Sequence, residues 1–485
     1  MDNLFEKLKN WIRAFLLRVA RKLRTDARKD PVVRESKSLF SREIKIPVFA
    51  SLLFTVAALY CMLVIAFGLG WNVMVAMAIF ITAIVSFFIA QTKNKEKVIL
   101  EDNDAVVLMC LLFIIAVLTF QISREYVSPF LSPVAAFSLM AAMLLSSRIG
   151  ILYTVSLSLF VALLNDMQFD IFLVMLCGGV VIVTNVQSIC RRSDFINTGV
   201  KIAIANIAMT TMFYFLGSYG SSQFKYNLFY GALNGAFAIV LMLVFMPLFE
   251  KVFSRTTNIK LIELSDFNNL LLKRLMLEVP GTYHHSIMAA DIAEQAANAI
   301  NENSLLARVG AYYHDIGKLR NPQYFMENQI SGHNPHDDLT PEMSKLILIS
   351  HVKDGIVLAR KYNVDNEIIN IIGQHHGTTS MHVFYHRALE SGPNANIENF
   401  RYSGPKPATK VAAIVMMADS CEAACRSIED PTALRIKDAV EKIINNKFID
   451  GQFSECPITL RDLEIIRDSM ISTIMGIYHA RIDYK

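Results

Sequence analysis

The sequence predicts an all-α protein in two parts: a polytopic transmembrane helix bundle, then a cytoplasmic, all-helical soluble domain. Three observations carry that prediction. Apolar segments of bilayer-crossing length follow one another from Ile46 to about residue 249. Beyond them, apolar residues recur at spacings of three and four, with no β-alternating run of convincing length and no βαβ rhythm. All eleven histidines lie at or beyond His284, so imidazole chemistry belongs to the second part. The composition agrees: 53% of the 485 residues are hydrophobic, too many for an ordinary soluble enzyme, yet the last 235 are charged like a globular protein. The net charge of +4 is small, and Lys and Arg gather near apolar segments. That pattern favours contact with a lipid bilayer and gives no reason to expect a nucleic-acid polymer.

Residues 1–45 carry 13 Lys/Arg against 6 Asp/Glu, with Leu4, Phe5, Leu8, Trp11, Ile12, Phe15, Val19 and Leu23 at helical spacing. This reads as a basic amphipathic arm on the cytoplasmic face of a membrane. Arg13, Arg18 and Arg21 interrupt its apolar face and no small-residue cleavage site follows, which excludes a secretory leader. Eight spans follow within 46–250, at about 46–69, 71–91, 105–122, 129–146, 150–165, 169–188, 199–218 and 227–249. Odd-numbered connections carry Arg124 and Lys225, whereas even-numbered ones carry Lys93, Lys95, Lys97, Arg148, Arg191 and Arg192. The excess of positive charge on one side puts both termini in the cytoplasm. The spans hold no histidine and almost no ionisable residue away from their ends, which argues against a proton relay or an ion pathway. Gly178-Gly179 and the Gly231 to Gly235 segment offer small surfaces for close helix packing, with Asn234 the residue placed to face a cavity.

A basic juxtamembrane linker, 251–260, leads to the soluble domain, 261–485. Helices are expected at 268–278, 285–301, 305–315, 342–362, 366–376, 410–426, 432–446 and 460–481, punctuated by Pro280-Gly281, Gly392-Pro393 and Gly404-Pro405. Seven scattered cysteines without a CxxC pair support neither a disulfide framework nor a thiolate zinc site.

His314 and Asp315 are adjacent at the end of an apolar helix closed by Gly317, and His375 and His376 repeat the device before Gly377. His285, His351 and Asp419 sit in otherwise apolar helical surroundings, where a polar side chain needs partners. Imidazoles and carboxylates in this number suit two transition-metal ions within a helical bundle, and Asp315, with two oxygens, can bridge them.

These residues resemble a known pattern. His285, His314-Asp315 and Asp419 look like the ligand set of the HD phosphohydrolase superfamily, and His351 with His375-His376 resemble the extra ligands of its dinuclear members. The strings Pro280-Gly-Thr-Tyr-His-His-Ser286, Ala311-Tyr-Tyr-His-Asp-Ile-Gly-Lys318, Tyr324-Phe-Met-Glu-Asn-Gln329, Asn334-Pro-His-Asp337, Gln374-His-His-Gly-Thr378 and Phe400-Arg-Tyr-Ser-Gly-Pro-Lys-Pro407 resemble one branch, the seven-transmembrane HD family of PgpH-like cyclic-di-AMP phosphodiesterases. The similarity runs from about residue 71 to the end. It implies two iron or two manganese ions, one held by His285, His314, Asp315 and Asp419, the other by Asp315, His351, His375 and His376. It further implies hydrolysis of cyclic-di-AMP to pApA by metal-activated hydroxide and a bacterial cytoplasmic-membrane location; a homodimer is one assembly open to the chain, whose oligomeric state the sequence does not reveal. Only a few residues near Gly68 to Trp71 separate the first two spans, where members of the family carry a sizeable extracellular domain.

Lys318, one turn beyond Asp315, is the candidate for holding the phosphate or stabilising the transition state. Lys406 and Arg426 are candidate phosphate contacts, and Tyr312, Tyr313 and Tyr402 candidate stacking surfaces for the bases. For each of these the alternative is an ordinary core or solvated residue. His284 precedes the ligand position, His333 and His336 fall on a polar loop, and His382, His386 and His479 read as structural. Two rival functions differ in substrate or in class: cyclic-di-GMP hydrolysis, disfavoured because no GYP tripeptide follows His375-His376-Gly377, and a non-catalytic nucleotide receptor, disfavoured by seven intact ligand positions.

Overall fold

The computed structural model describes residues 71–95, 102–184, 186, 192–329, 334–391 and 395–479; the basic arm and the 46–69 segment lie outside them. No strand forms among the described residues, the one β-bridge being Ser380 with Arg401. The chain divides between Ile259 and Lys260 into two compact units.

The first unit contains seven helices among the described residues: α1 Trp71–Lys95, α2 Asn103–Tyr126, α3 Val134–Leu144, α4 Ser147–Leu164, α5 Phe169–Val183, α6 Arg192–Phe215 and α7 Ser221–Phe253. By length and composition, α2, α4 and α7 can each cross a membrane. Within the expected span at 129–146 the helix is α3, 11 residues long and buried over nearly its whole surface. The cause is local. Ser123 Oγ donates to the Leu131 carbonyl at 2.7 Å, the Phe130 amide donates to Ser128 Oγ, and Pro133 fixes the entry to α3, so the chain turns through 127–133 before it can helix. Ser146 then caps α4 by accepting from the Ile149 amide. The segment that runs through Gly231 and Gly235 packs as its small residues suggest: a methyl group on Gly235 would stand 2.1 Å from the Gly199 carbonyl oxygen of α6. Asn206 donates to the Gly231 carbonyl at 3.0 Å, and Asn234 faces Met175. α7 runs beyond its expected end at residue 249 and closes on Ser254 in the left-handed region. Just past it, Arg255 pairs with Asp102, the N-cap of α2, at 2.5 Å.

The second unit comprises α8 Asn258–Ser265, α9 Leu270–Glu278, α10 Pro280–Ala299, α11 Ser304–Tyr313, α12 Pro341–Lys361, α13 Asn366–Gln374, α14 His382–Ser391, α15 Lys410–Arg426, α16 Ala433–Ile449 and α17 Leu460–His479. Every helix expected here forms, with ends shifted by a few residues set by caps. Asn303, Thr340, Thr409 and Thr432 each accept an amide of the first turn, and Pro280 and Pro341 occupy first-turn positions. Two helices were not expected: α8, which begins inside the stretch read as a linker, and α14, whose short apolar run Val383 to Tyr385 lies between His382 and His386. The central element is α15, where Val411 through Ala418 are all buried. α10, α11, α13, α16 and α17 pack around it. Cys177, Cys421, Cys425 and Cys456 form no disulfide.

Candidate metal centre

The ligand residues come from five places in the second unit. α10 presents His285 one turn inside its start, α11 ends on His314-Asp315, α12 carries His351 midway, α13 ends on His375-His376, and α15 contributes Asp419. Close approach of α12 to the turn after Asp315 depends on Gly317, because a methyl group there would lie 1.8 Å from the His351 carbonyl oxygen.

All seven expected ligands converge, in two groups of four whose donor atoms lie within 4.8 Å of one another: His285, His314, Asp315 and Asp419, and Asp315, His351, His375 and His376. Asp315 divides its carboxylate between them. Its Oδ2 lies 3.1 Å from His314 Nε2 and 3.6 Å from His285 Nε2, whereas its Oδ1 lies 3.4 Å from His351 Nε2 and 3.7 Å from His375 Nε2. Asp419 also faces both ways, Oδ1 at 3.1 Å from His285 Nε2 and Oδ2 at 3.7 Å from His376 Nδ1. Ligand atoms about 2.1 Å from a common ion stand roughly 3.0–3.4 Å apart, close to these spacings.

The tautomers suit cations. His314, His351 and His375 each direct Nδ1 at the carbonyl three residues back, on Ala311, Leu348 and Ile372. A proton on Nδ1 leaves the Nε2 lone pair aimed at the centre. His285 is held differently, its Nδ1 meeting Glu422, a buried carboxylate one turn beyond Asp419. His314 Nε2 and Asp315 Oδ1 are buried with no hydrogen-bond partner, an arrangement that a bound cation would complete. The donor set therefore fits two divalent ions.

The side chains' own field distinguishes the two groups. Burial alone would keep the histidines neutral, and it lowers the His351 pKa to about 4 and that of His375 to about 3. His376 is likewise held far below its ordinary value by burial. At His314 burial is outweighed by the Asp315 charge, and the pKa rises to about 10. Against their own burial, Asp315 and Asp419 stay ionised, the first through His314 and Lys318, the second through His285 and the nearby His314. The first group is acidic and holds a proton where an ion would sit; the second is neutral apart from Asp315.

Lys318 Nζ lies 2.7 Å from both Asp315 Oδ2 and Glu327 Oε1, with the Phe325 ring beside it. Of the other contact candidates, Tyr402 reaches the centre, stacking on His376 at 4.2 Å. Lys406 donates to the Gly451 carbonyl, and the half-exposed Arg426 lies 3.8 Å from Glu422. Tyr312 packs on Phe267 and Tyr313 donates to the Leu264 carbonyl, both in the helical core. Sequence reasoning missed Glu422 and Glu327. The i+3 spacing from Asp419 was the available signal for the first, and the quoted string around Tyr324 contained the second without revealing its role.

A unit of apolar helices, three of them long enough to cross a membrane, is followed by an all-helical unit with two fused His/Asp clusters that could each hold a metal ion. The family model described as 7TM receptor with intracellular HD hydrolase matches residues 71–257, and the HD domain model matches 282–424. The chain belongs to this seven-transmembrane HD family. Among curated proteins it is 38% identical to the cyclic-di-AMP phosphodiesterase PgpH of Listeria monocytogenes, over 84% of this chain and 58% of that one. It is 37% identical to PgpH of Bacillus subtilis, over 85% and 60% respectively. The chain thus spans about three fifths of the length of these relatives. The crystal structure of the L. monocytogenes PgpH HD domain in complex with cyclic-di-AMP aligns with 44% of this chain and 100% of its own, at 50% identity and a TM-score of 0.43.

Proposed function

We propose that this chain is a membrane-bound phosphodiesterase that hydrolyses cyclic-di-AMP to linear pApA. The observation that carries the reading is the pair of four-residue clusters fused through Asp315. The activity of the two PgpH relatives supports the choice of substrate. Residues 261–485 form the catalytic domain, 46–250 the membrane domain, 251–260 the junction between them and 1–45 the basic arm. The charge pattern of the connections supports cytoplasmic termini, and the bacterial relatives support placement in a bacterial cytoplasmic membrane.

His285, His314, Asp315 and Asp419 would hold one ion and Asp315, His351, His375 and His376 the other, with iron or manganese the metals that the family resemblance implies. Such ions supply Lewis acidity, making hydroxide available at neutral pH and offsetting phosphate charge. The chain's own residues set the geometry. The Nδ1 anchors at three backbone carbonyls and Glu422 fix the imidazole planes, and Lys318 holds the Asp315 carboxylate in its dividing position. His376, the most exposed of the ligands with a side chain 21% accessible, marks the mouth where a phosphodiester enters. Tyr402 lies beside it. Hydrolysis forms a new P–O bond as the P–O3′ bond breaks, and the 3′-oxygen leaves with a proton.

The test uses the full chain in detergent, loaded with Mn²⁺ and given cyclic-di-AMP or cyclic-di-GMP, with Asp315→Ala beside it. Cleavage of cyclic-di-AMP that vanishes in the variant is expected. Equal cleavage of both dinucleotides would refute the substrate, tight binding without cleavage would make the chain a receptor, and a fully active Asp315→Ala would displace the site.

A further inference from the structure

Six of the seven ligands have ring nitrogens or carboxylates tied to hydrogen-bond or ion-pair partners at short range, but the seventh, His376, has no such anchor. Its Nδ1 stands 3.7 Å from Asp419, and its ring is oriented by stacking on Tyr402 at 4.2 Å and by contact with His375 at 4.0 Å. The direction of His376 is therefore inherited from the backbone turn that follows it, 377–380, and from the segment that carries Tyr402.

Both segments are fastened to one buried polar group. Gln452 is fully buried. Its Oε1 accepts from the Thr378 amide at 2.9 Å, and its Nε2 donates to Thr378 Oγ1 at 3.0 Å and to Asp450 Oδ2 at 2.7 Å. Asp450 in turn accepts from Nη1 and Nη2 of Arg401, at 3.1 and 2.9 Å, and Arg401 Nη1 donates back to the Thr378 carbonyl at 2.9 Å. Arg401 precedes Tyr402, whose amide donates to the Thr379 carbonyl at 3.0 Å. The loop closes on itself: Thr378, Gln452, Asp450, Arg401, Thr378. Gly377 makes room for it, with φ at +52° and space so tight that a methyl group would come within 2.4 Å of Gln452 Oε1.

We propose that Gln452 is a positioning residue for His376, acting through Thr378 and the Arg401–Asp450 pair, and so governs retention of the second ion without touching it. The inference rests on the dinuclear reading above and assigns a role to the segments around Gly377 and Arg401 that the ligand set leaves unexplained. The bond network is a bidentate charged pair plus a satisfied buried amide, the kind of arrangement that holds a geometry rather than merely filling space. Removal of outer partners of metal ligands typically costs 10–100-fold in metal affinity.

The test compares the full chain in detergent with its Gln452→Leu and Gln452→Glu variants, titrated with Mn²⁺ alone and followed by electron paramagnetic resonance and calorimetry. Leu keeps the volume and removes every bond; Glu keeps the acceptor for the Thr378 amide but faces Asp450 with like charge, a clash that Asp450→Asn relieves. In Gln452→Leu the second ion is expected to bind about 10–100-fold more weakly with the first unchanged, so that the spin-coupled pair signal gives way to a single-ion spectrum. Gln452→Glu should weaken the second ion as well, and adding Asp450→Asn should recover part of its affinity. Two ions bound with unaltered affinity in Gln452→Leu would overturn the proposal. Equal loss of both ions with a lowered melting temperature would overturn it too, by making Gln452 a general structural residue. Fewer than two ions in the unaltered chain would remove the dinuclear reading itself.

Discussion

Glu422 offers a measurable separation of orientation from charge at His285. Its carboxylate is buried and meets His285 Nδ1, leaving Nε2 directed at Asp419 and Asp315. A hydrogen bond to a charged group contributes about 1.5–3 kcal/mol and a neutral one about 0.5–1.5 kcal/mol. Glu422→Gln can still accept from Nδ1–H through its amide oxygen, so it should lose roughly 1 kcal/mol, a factor of about 5 in affinity for the ion held by His285. Glu422→Ala loses the anchor as well, about 1.5–3 kcal/mol or roughly 10–150-fold. The Arg426 contact at 3.8 Å adds little to either figure, because that side chain is 41% exposed. Calorimetric titration of the full chain with Mn²⁺ resolves the two binding events. The expected order is unaltered chain, then Gln, then Ala, with the change confined to one event. An Ala variant that binds both ions as tightly as the unaltered chain would refute the assignment of Glu422 as the anchor of His285.

Other consequences follow from the same field. Lys318→Met leaves Asp315 and Glu327 without their shared cation; breaking such a buried pairing costs about 3–5 kcal/mol in the metal-free protein. Mn²⁺ should recover most of that loss by neutralising Asp315, which melting curves with and without the metal will check. The His314 pKa near 10 means that the metal-free site holds a proton through neutral pH. Because that value is raised above the ordinary 6.5, the stabilisation by this proton is complete below pH 6.5 and is lost as pH rises through 10. Ion binding must expel the proton, so the apparent Mn²⁺ affinity of the first site should rise about tenfold per pH unit between roughly 7 and 8.5. A pH-independent affinity would contradict the protonation assigned to His314. Gly317→Ala pushes a methyl group into the His351 carbonyl, where backbone cannot yield; about 1–3 kcal/mol of stability and preferential loss of the ion held by His351 are expected, measured by denaturant titration and metal content.

The ligand set was legible because each member breaks its surroundings: His285, His351 and Asp419 are polar residues on otherwise apolar helical faces, and the adjacent pairs fall at helix ends before glycines. Burial makes such residues expensive without a shared centre, and that argument needs no coordinates. What supports the ligands was not legible for the same reason in reverse. Glu422 on α15 and Gln452 beyond α16 are ordinary polar residues by sequence, and only the packing of α15 against α10, and the return of the chain past α16 to the 377–380 turn, gives them work. Lys318 illustrates an intermediate case. Its position one turn past Asp315 was visible, but the second carboxylate that grips it comes from Glu327, on a run of short 3₁₀ turns with no periodicity to read.

The membrane unit shows where hydropathy stops being informative. A window sees 129–146 as one apolar run, whereas α3 takes up 11 of its residues and nearly all of them are enclosed by other helices. Hydropathy reports whether a residue avoids water, and cannot distinguish lipid from protein as the alternative. Hydrogen bonding can make that distinction: the Ser123, Ser128 and Leu131 contacts satisfy the polar atoms of a non-helical turn within protein, which exposed chain in hydrocarbon could not do. Serines and prolines clustered between two apolar runs, as at Ser128-Pro129 and Ser132-Pro133, thus mark a buried turn and place the start of the next helix later than apolarity alone does.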